Sequence, residues 1–198
     1  MPEQLPLFPL HSVLFPHGRM SLRVFEPRYL DLVRVCFKNK NEFGVVLIRD
    51  GSEAAIDAKS PMPKLAQIGC LARIVDWGAP FNGSIGITVE GGGKFRVLAT
   101  QQQPNYLIVA DIERLPPEVE LPLPARASDL VELLRQLIAH PLVARLNLEP
   151  QTADGGCMVN QIAQLLPIPE VHKFALLAES NPSLRLDRLL LILDQITD

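Results

Sequence analysis

A chain of 198 residues that is 47% hydrophobic and 21% charged can bury one large core or two small ones, and it lacks the composition of a disordered protein. Its net charge of −3 gives no basic footprint, which speaks against nucleic acid as a partner. Cys36, Cys70 and Cys157 are odd in number and have no C-x-x-C spacing, so they argue against a disulfide framework or a zinc site and suit a reducing compartment.

The opening Met1-Pro2-Glu3-Gln4 has no basic n-region, and the apolar residues after it are interrupted by Pro6 and Pro9, so a signal peptide is not expected. The longest purely apolar run, Leu189 to Leu193, is too short to cross a bilayer. The expectation is a cytoplasmic protein with no membrane partner. Leu5, Leu7, Phe8, Leu10, Val13, Leu14 and Phe15 predict a short strand and an extended connection, which the prolines keep out of helix. His17-Gly18-Arg19 is a turn. In Met20-Ser21-Leu22-Arg23-Val24 apolar and polar residues alternate with the period of a half-buried strand.

Pro27 then fits the first helical position, and Tyr29, Leu32, Val33, Cys36 and Phe37 form a helical stripe that stops near Lys38-Asn39-Lys40-Asn41. Phe43 to Ile48 is a β-branched and aromatic run and reads as a central strand. Residues 51–64 are polar and predict a mobile surface loop. Ile68 to Val75 and Ile85 to Glu90 predict a hairpin with a long tip at Trp77-Gly78-Ala79-Pro80-Phe81-Asn82-Gly83. Gly91-Gly92-Gly93 marks a bulge or bend, after which Phe95, Val97 and Leu98 continue a strand, and a last strand runs from Tyr106 to Glu113.

Composition changes at Pro116-Pro117, Pro122 and Pro124, a stiff linker. Beyond it the strand signal fades. Helices are expected from a cap at Ser128 to about His140, from Cys157 to Leu165, from Pro169, and from Asn181-Pro182 with Leu186, Leu189, Leu190, Leu193 and Ile196 on one side. Two domains follow, a β-rich one over 1–117 and a helical bundle over 125–198.

With these segments placed, the chain resembles the N-terminal substrate-binding domain of the ATP-dependent Lon protease. The residues that carry the resemblance are Leu5-Pro6-Leu7-Phe8-Pro9-Leu10, Val13-Leu14-Phe15-Pro16, Phe25-Glu26-Pro27-Arg28-Tyr29, Phe43-Gly44-Val45-Val46-Leu47, Gly69-Cys70-Leu71-Ala72-Arg73-Ile74 and Gly93-Lys94-Phe95-Arg96-Val97. His17 departs from the small residue or glycine more usual before Gly18. The resemblance implies an α+β fold, a PUA-like β pseudo-barrel with one inserted helix followed by a C-terminal helical bundle. It also implies a non-catalytic module for unfolded or misfolded polypeptide, which would be held or passed to a protease. The chain then looks like a stand-alone copy of that domain.

Little in the sequence suggests chemistry. No G-x-x-x-x-G-K-[ST] phosphate loop occurs, since Gly93-Lys94 is followed by Phe95. His11, His17, His140 and His172 have no metal-ligand spacing, so no metal and no cofactor is expected. Cys36 and Cys70 fall on apolar positions and read as small buried hydrophobes. Glu26 is expected to satisfy amides at the helix start, and Arg28 to make a structural ion pair. The candidate substrate-binding residues are Trp77 and Phe81, which flank the Gly-Ala-Pro tip. They either grip apolar side chains of a partner or fold back on the barrel. The alternative function is RNA binding, because PUA-like barrels also serve RNA partners; the acidic charge balance opposes it.

Overall fold

The computed structural model describes residues 3–53, 62–79, 82–123 and 127–197. Among these, six strands and six helices follow one another as β1 (Glu3–Leu10), β2 (Arg19–Val24), α1 (Pro27–Asn39), β3 (Phe43–Asp50), β4 (Lys64–Trp77), β5 (Ile85–Gln102), β6 (Ile108–Arg114), α2 (Ala127–Ala139), α3 (Pro141–Ala144), α4 (Gly155–Leu165), α5 (Glu170–Ala178) and α6 (Pro182–Thr197). The fold is α+β. One sheet is interrupted by one helix and followed by five more. Much of the expected 51–64 loop, Phe81 and Pro124 lie outside the described residues.

The sheet order is β2-β5-β4-β3-β1-β6, and β5 also pairs with β6, so five strands close on themselves and β2 is outermost. Only β1 and β3 are parallel, with Leu7 opposite Gly44 and Leu10 opposite Leu47. Pro6 and Pro9 fit in β1 because each half of that strand pairs along one edge, Glu3–Pro6 with β6 and Leu7–Leu10 with β3. The triple glycine is a bulge, as expected. Between Cys70↔Lys94 and Ala72↔Gly91 the register of β5 against β4 slips by one residue. A Cβ on Gly91 would stand 2.0 Å from the Phe15 carbonyl oxygen, which leaves room for glycine alone.

Helix α1 packs Tyr29, Leu32, Val33 and Cys36 against Phe8, Phe43, Val45, Ile87 and Val89. Phe37 leaves the expected stripe and is half-exposed. It lies about 100° further round the helix than Cys36, at the rim of the buried face. Glu26 also differs from expectation, because its side chain makes no cap hydrogen bond and turns to Arg28 instead. Lys40 stops the helix in the left-handed conformation, its N–H bonding the Cys36 carbonyl.

The helical part has its own core of Leu134, Met158, Ile162, Leu176 and Leu189, and Val13 and Phe15 from the β1–β2 connection insert into it. That connection is held by side chains from the helices. The Val13 N–H donates to Glu170 Oε2 at 2.7 Å, the Phe15 N–H to Gln164 Oε1 at 2.9 Å, and Gln161 Nε2 donates to the His17 carbonyl at 3.0 Å. His17 has φ 62°, a left-handed conformation that glycine adopts most easily. Ser128 lies one residue inside α2 and its hydroxyl meets Asp129, so it is not the cap. The short α3, capped by His140, was not expected. Asp154 caps α4 through the Cys157 N–H at 2.8 Å and also accepts the Leu121 N–H at 2.9 Å, tying the proline-rich linker to the helix start.

Candidate functional site

Arg28 sets the geometry at the start of α1. It is 7% exposed and ion-pairs with Glu26 at 2.9 Å. It donates to the Tyr106 carbonyl at 2.9 Å and the Glu53 carbonyl at 2.8 Å, and it covers the Tyr29 ring at 4.4 Å. Tyr29 in turn stacks on Phe8 at 4.1 Å, and burial pushes its hydroxyl up to about 12. With Tyr29, Arg28 therefore joins β1, α1 and two loops. Every bond it makes is structural.

Trp77 ends β4 opposite Ile87, where its indole leans edge-on against Phe37 of α1 with ring centroids 5.4 Å apart and planes at 66°. The two rings remain 54% and 53% exposed. The tip has thus neither buried Trp77 nor left it isolated, because it leans on a second aromatic and the pair faces solvent. Phe81, the other expected contact residue, lies outside the described residues. Phe37 was missed as Trp77's partner because its helical spacing reads as core.

Two of the concave surfaces formed by the described residues flank the closed sheet. One, of about 550 Å³, is lined by Phe8, Leu10, Met20, Leu22, Val24 and Phe25 among others, so β2 forms much of its wall. Phe25, which directly follows β2, is 62% exposed there. The other, of about 430 Å³, lies where Gly92 and Lys94 of β5, Pro117 and Glu118 of the linker, and Asp154 and Cys157 at the start of α4 meet.

That second surface has a charged floor. Lys94 Nζ sits 2.6 Å from Glu118 Oε1 and donates to the Leu177 and Glu179 carbonyls, each at 3.1 Å. Arg185, 1% exposed, holds the other Glu118 oxygen at 2.7 Å, Asn160 Oδ1 at 2.9 Å and the Leu176 carbonyl at 3.0 Å. Burial raises the Glu118 carboxyl, but the Arg185 and Lys94 hydrogen bonds outweigh it and hold the group below the ordinary carboxylate value. Nothing in the local sequence signals this cluster, since Glu118 stands in a proline-rich linker and its partners are far away along the chain.

None of these groups is poised for covalent chemistry. Burial pushes the Cys36 and Cys157 thiols up to about 11 and Cys70 higher still, so all three stay protonated near neutral pH. Among the described residues no three His, Cys, Asp or Glu side chains gather as a metal site, and no helix is long and apolar enough to cross a membrane. The arrangement offers a half-exposed aromatic pair and concave surfaces lined by both apolar and polar side chains.

Comparison with known proteins gives these surfaces a context. Residues 4–195 match the family model described as the ATP-dependent protease La (LON) substrate-binding domain. The chain is 30% identical to a Lon protease of Anaeromyxobacter dehalogenans over 165 residues, covering 71% of this chain and 19% of that protein. It is 27% identical to Lon protease 2 of Myxococcus xanthus over 206 aligned positions, covering 98% of this chain and 24% of that protein. The chain thus spans about a quarter or less of the curated relatives it matches. Among solved structures it resembles a Lon N-terminal domain protein from Xanthomonas campestris, with TM-score 0.71, 32% identity, and 95% and 97% of the two chains covered. The N-terminal domain of the Mycobacterium avium complex Lon protease shares the fold at TM-score 0.61 and 14% identity, with 99% of each chain covered.

Proposed function

Because the chain belongs to the family of ATP-dependent protease La (Lon) substrate-binding domains, we propose that it is a non-catalytic module that binds unfolded or misfolded polypeptide and holds it or passes it to a protease in the cytoplasm. The family match over nearly the whole chain carries this reading. The closed sheet with α1 inserted is then the PUA-like pseudo-barrel, residues 1–117, and the helices of residues 125–198 are the C-terminal bundle. The half-exposed Trp77–Phe37 pair supports it, because paired aromatics facing solvent provide apolar contact area with little side-chain entropy to lose. Phe81 is proposed as a further client-contacting residue. Polypeptide binding needs no catalytic group, and the raised thiols supply none.

Trp77 is the only tryptophan, so its emission reports on this surface directly. Titration with a reduced, denatured model protein is expected to give a saturable change in that emission at tens of micromolar, and native folded protein is expected to give none. A flat titration with the denatured protein would overturn the proposal.

A further inference from the structure

The groove beside β2 has a property that its mixed lining of apolar and polar side chains does not explain. β2 is the outermost strand and, among the described residues, pairs only with β5, so one of its backbone edges is open there. Two hydrogen bonds fix which residues own that edge. The Gly91 N–H donates to the Gly18 carbonyl at 2.9 Å, so in the register Arg19↔Glu90 the bonded pairs are Met20↔Val89, Leu22↔Ile87 and Val24↔Ile85. Independently, the Gly86 carbonyl is taken by the Gly78 N–H at 2.8 Å, which leaves Arg23↔Gly86 as a non-bonded pair. Arg19, Ser21 and Arg23 therefore turn their N–H and C=O groups away from β5. Among the described residues no backbone group meets them.

The side chains follow the same alternation. Met20, Leu22 and Val24 pack toward the core around α1, and Ser21 and Arg23 point to solvent. Arg23 donates to Ser84 Oγ at 3.0 Å, and no carboxylate among the described residues forms an ion pair with it. Among the described residues the C-terminal half of β1, whose Phe8 and Leu10 line the same groove, is paired along one edge only.

We propose that this edge captures the polypeptide client by strand addition: an extended segment pairs with Arg19, Ser21 and Arg23 of β2. Its alternate apolar side chains enter the groove of Phe8, Leu10 and Phe25, and an acidic side chain between them faces Arg23. Only an extended backbone offers donors and acceptors at the spacing that three alternate residues of one strand present. This proposal rests on the polypeptide-binding reading above and adds the mode and the sequence pattern of the client.

The test uses a fluorescein-labelled peptide of alternating valine with glutamate and threonine, together with two versions N-methylated at every second residue in opposite phase. Strand addition uses one phase of the peptide's N–H groups, so one methylated version is expected to lose about tenfold or more in anisotropy titrations while the other binds like the parent. Equal behaviour of the two versions would overturn the proposal. Ser21→Pro removes an outward N–H without touching the β5 ladder and is expected to weaken the parent peptide similarly at an unchanged melting temperature. Should that variant not fold, Arg23→Glu is expected to reverse the preference from glutamate-bearing to lysine-bearing peptides, and an unchanged preference would count against the proposal. Sedimentation of the free protein covers a second copy as occupant. A dimer abolished by changes at β2, without peptide capture, would replace strand addition by self-pairing. If denatured protein binds while the methylation phase has no effect, strand addition alone fails. If no polypeptide binds, the broader reading fails with it.

Discussion

Arg28 and Trp77 represent opposite uses of a large side chain, and the difference is measurable. Arg28 is buried with four partners, so Arg28→Met leaves Glu26 and two loop carbonyls unsatisfied and is expected to cost about 2–4 kcal/mol in urea unfolding. Tyr29→Ala, which removes the ring stacked on Phe8, is expected to cost about 3–5 kcal/mol. Trp77→Ala removes a half-exposed ring and is expected to cost about 1 kcal/mol or less, yet to weaken binding of denatured protein severalfold, as read by anisotropy of a labelled client. A Trp77→Ala variant that melts far below the parent would make Trp77 a core residue and remove it from the binding surface. The sequence separates these roles only partly. Phe-Glu-Pro-Arg-Tyr announces a strand-to-helix joint, but which of its charges reach other loops depends on segments that are distant along the chain.

At the scale of elements, β5 bears the most constraint. It borders β2, β4 and β6, and its bulge at Gly91 brings it against the backbone of the β1–β2 connection. Gly91→Ala is therefore expected to cost at least about 2 kcal/mol, because its Cβ would meet the Phe15 carbonyl and that backbone cannot move without disturbing the helical core. Gly86→Ala, in the same strand with nothing within 4 Å of the new methyl, is expected to stay within about 0.5 kcal/mol of the parent. Thermal melts of the two variants side by side test this. The run of three glycines does signal a bulge, but not which glycine is indispensable, since that depends on Phe15.

For the whole molecule, the contacts that join sheet and helices matter most. Val13 and Phe15 lie in the helical core, and Glu118 links Lys94 of β5 to Arg185 of α6. The Glu118 carboxyl is held in the fold below its ordinary unfolded value by Arg185 and Lys94, so the ionised form is favoured by folding. Its contribution is complete above that unfolded value and is lost as pH falls through the lower folded one. Stability is expected to drop on acidification from about pH 5 downward, and Glu118→Gln is expected to flatten that slope while lowering stability at neutral pH. Thermal melts of both proteins across this range decide it, and parallel curves would remove Glu118 as the acid-sensitive link.

Read alone, the chain yields the succession of strands and longer helices, though not the short α3, together with the strand-to-helix joint at Phe25-Glu26-Pro27, the bulge, the change from strands to helices after the linker and the family. These follow from local periodicity, proline and glycine placement, and ordered motifs. The spatial neighbours come from the folded chain, in which β2 is outermost with an open edge, Phe37 meets Trp77, and Lys94, Glu118 and Arg185 meet at one point. Each of these joins residues far apart in the chain, and local patterning carries no information about which distant backbone or side chain will be the neighbour.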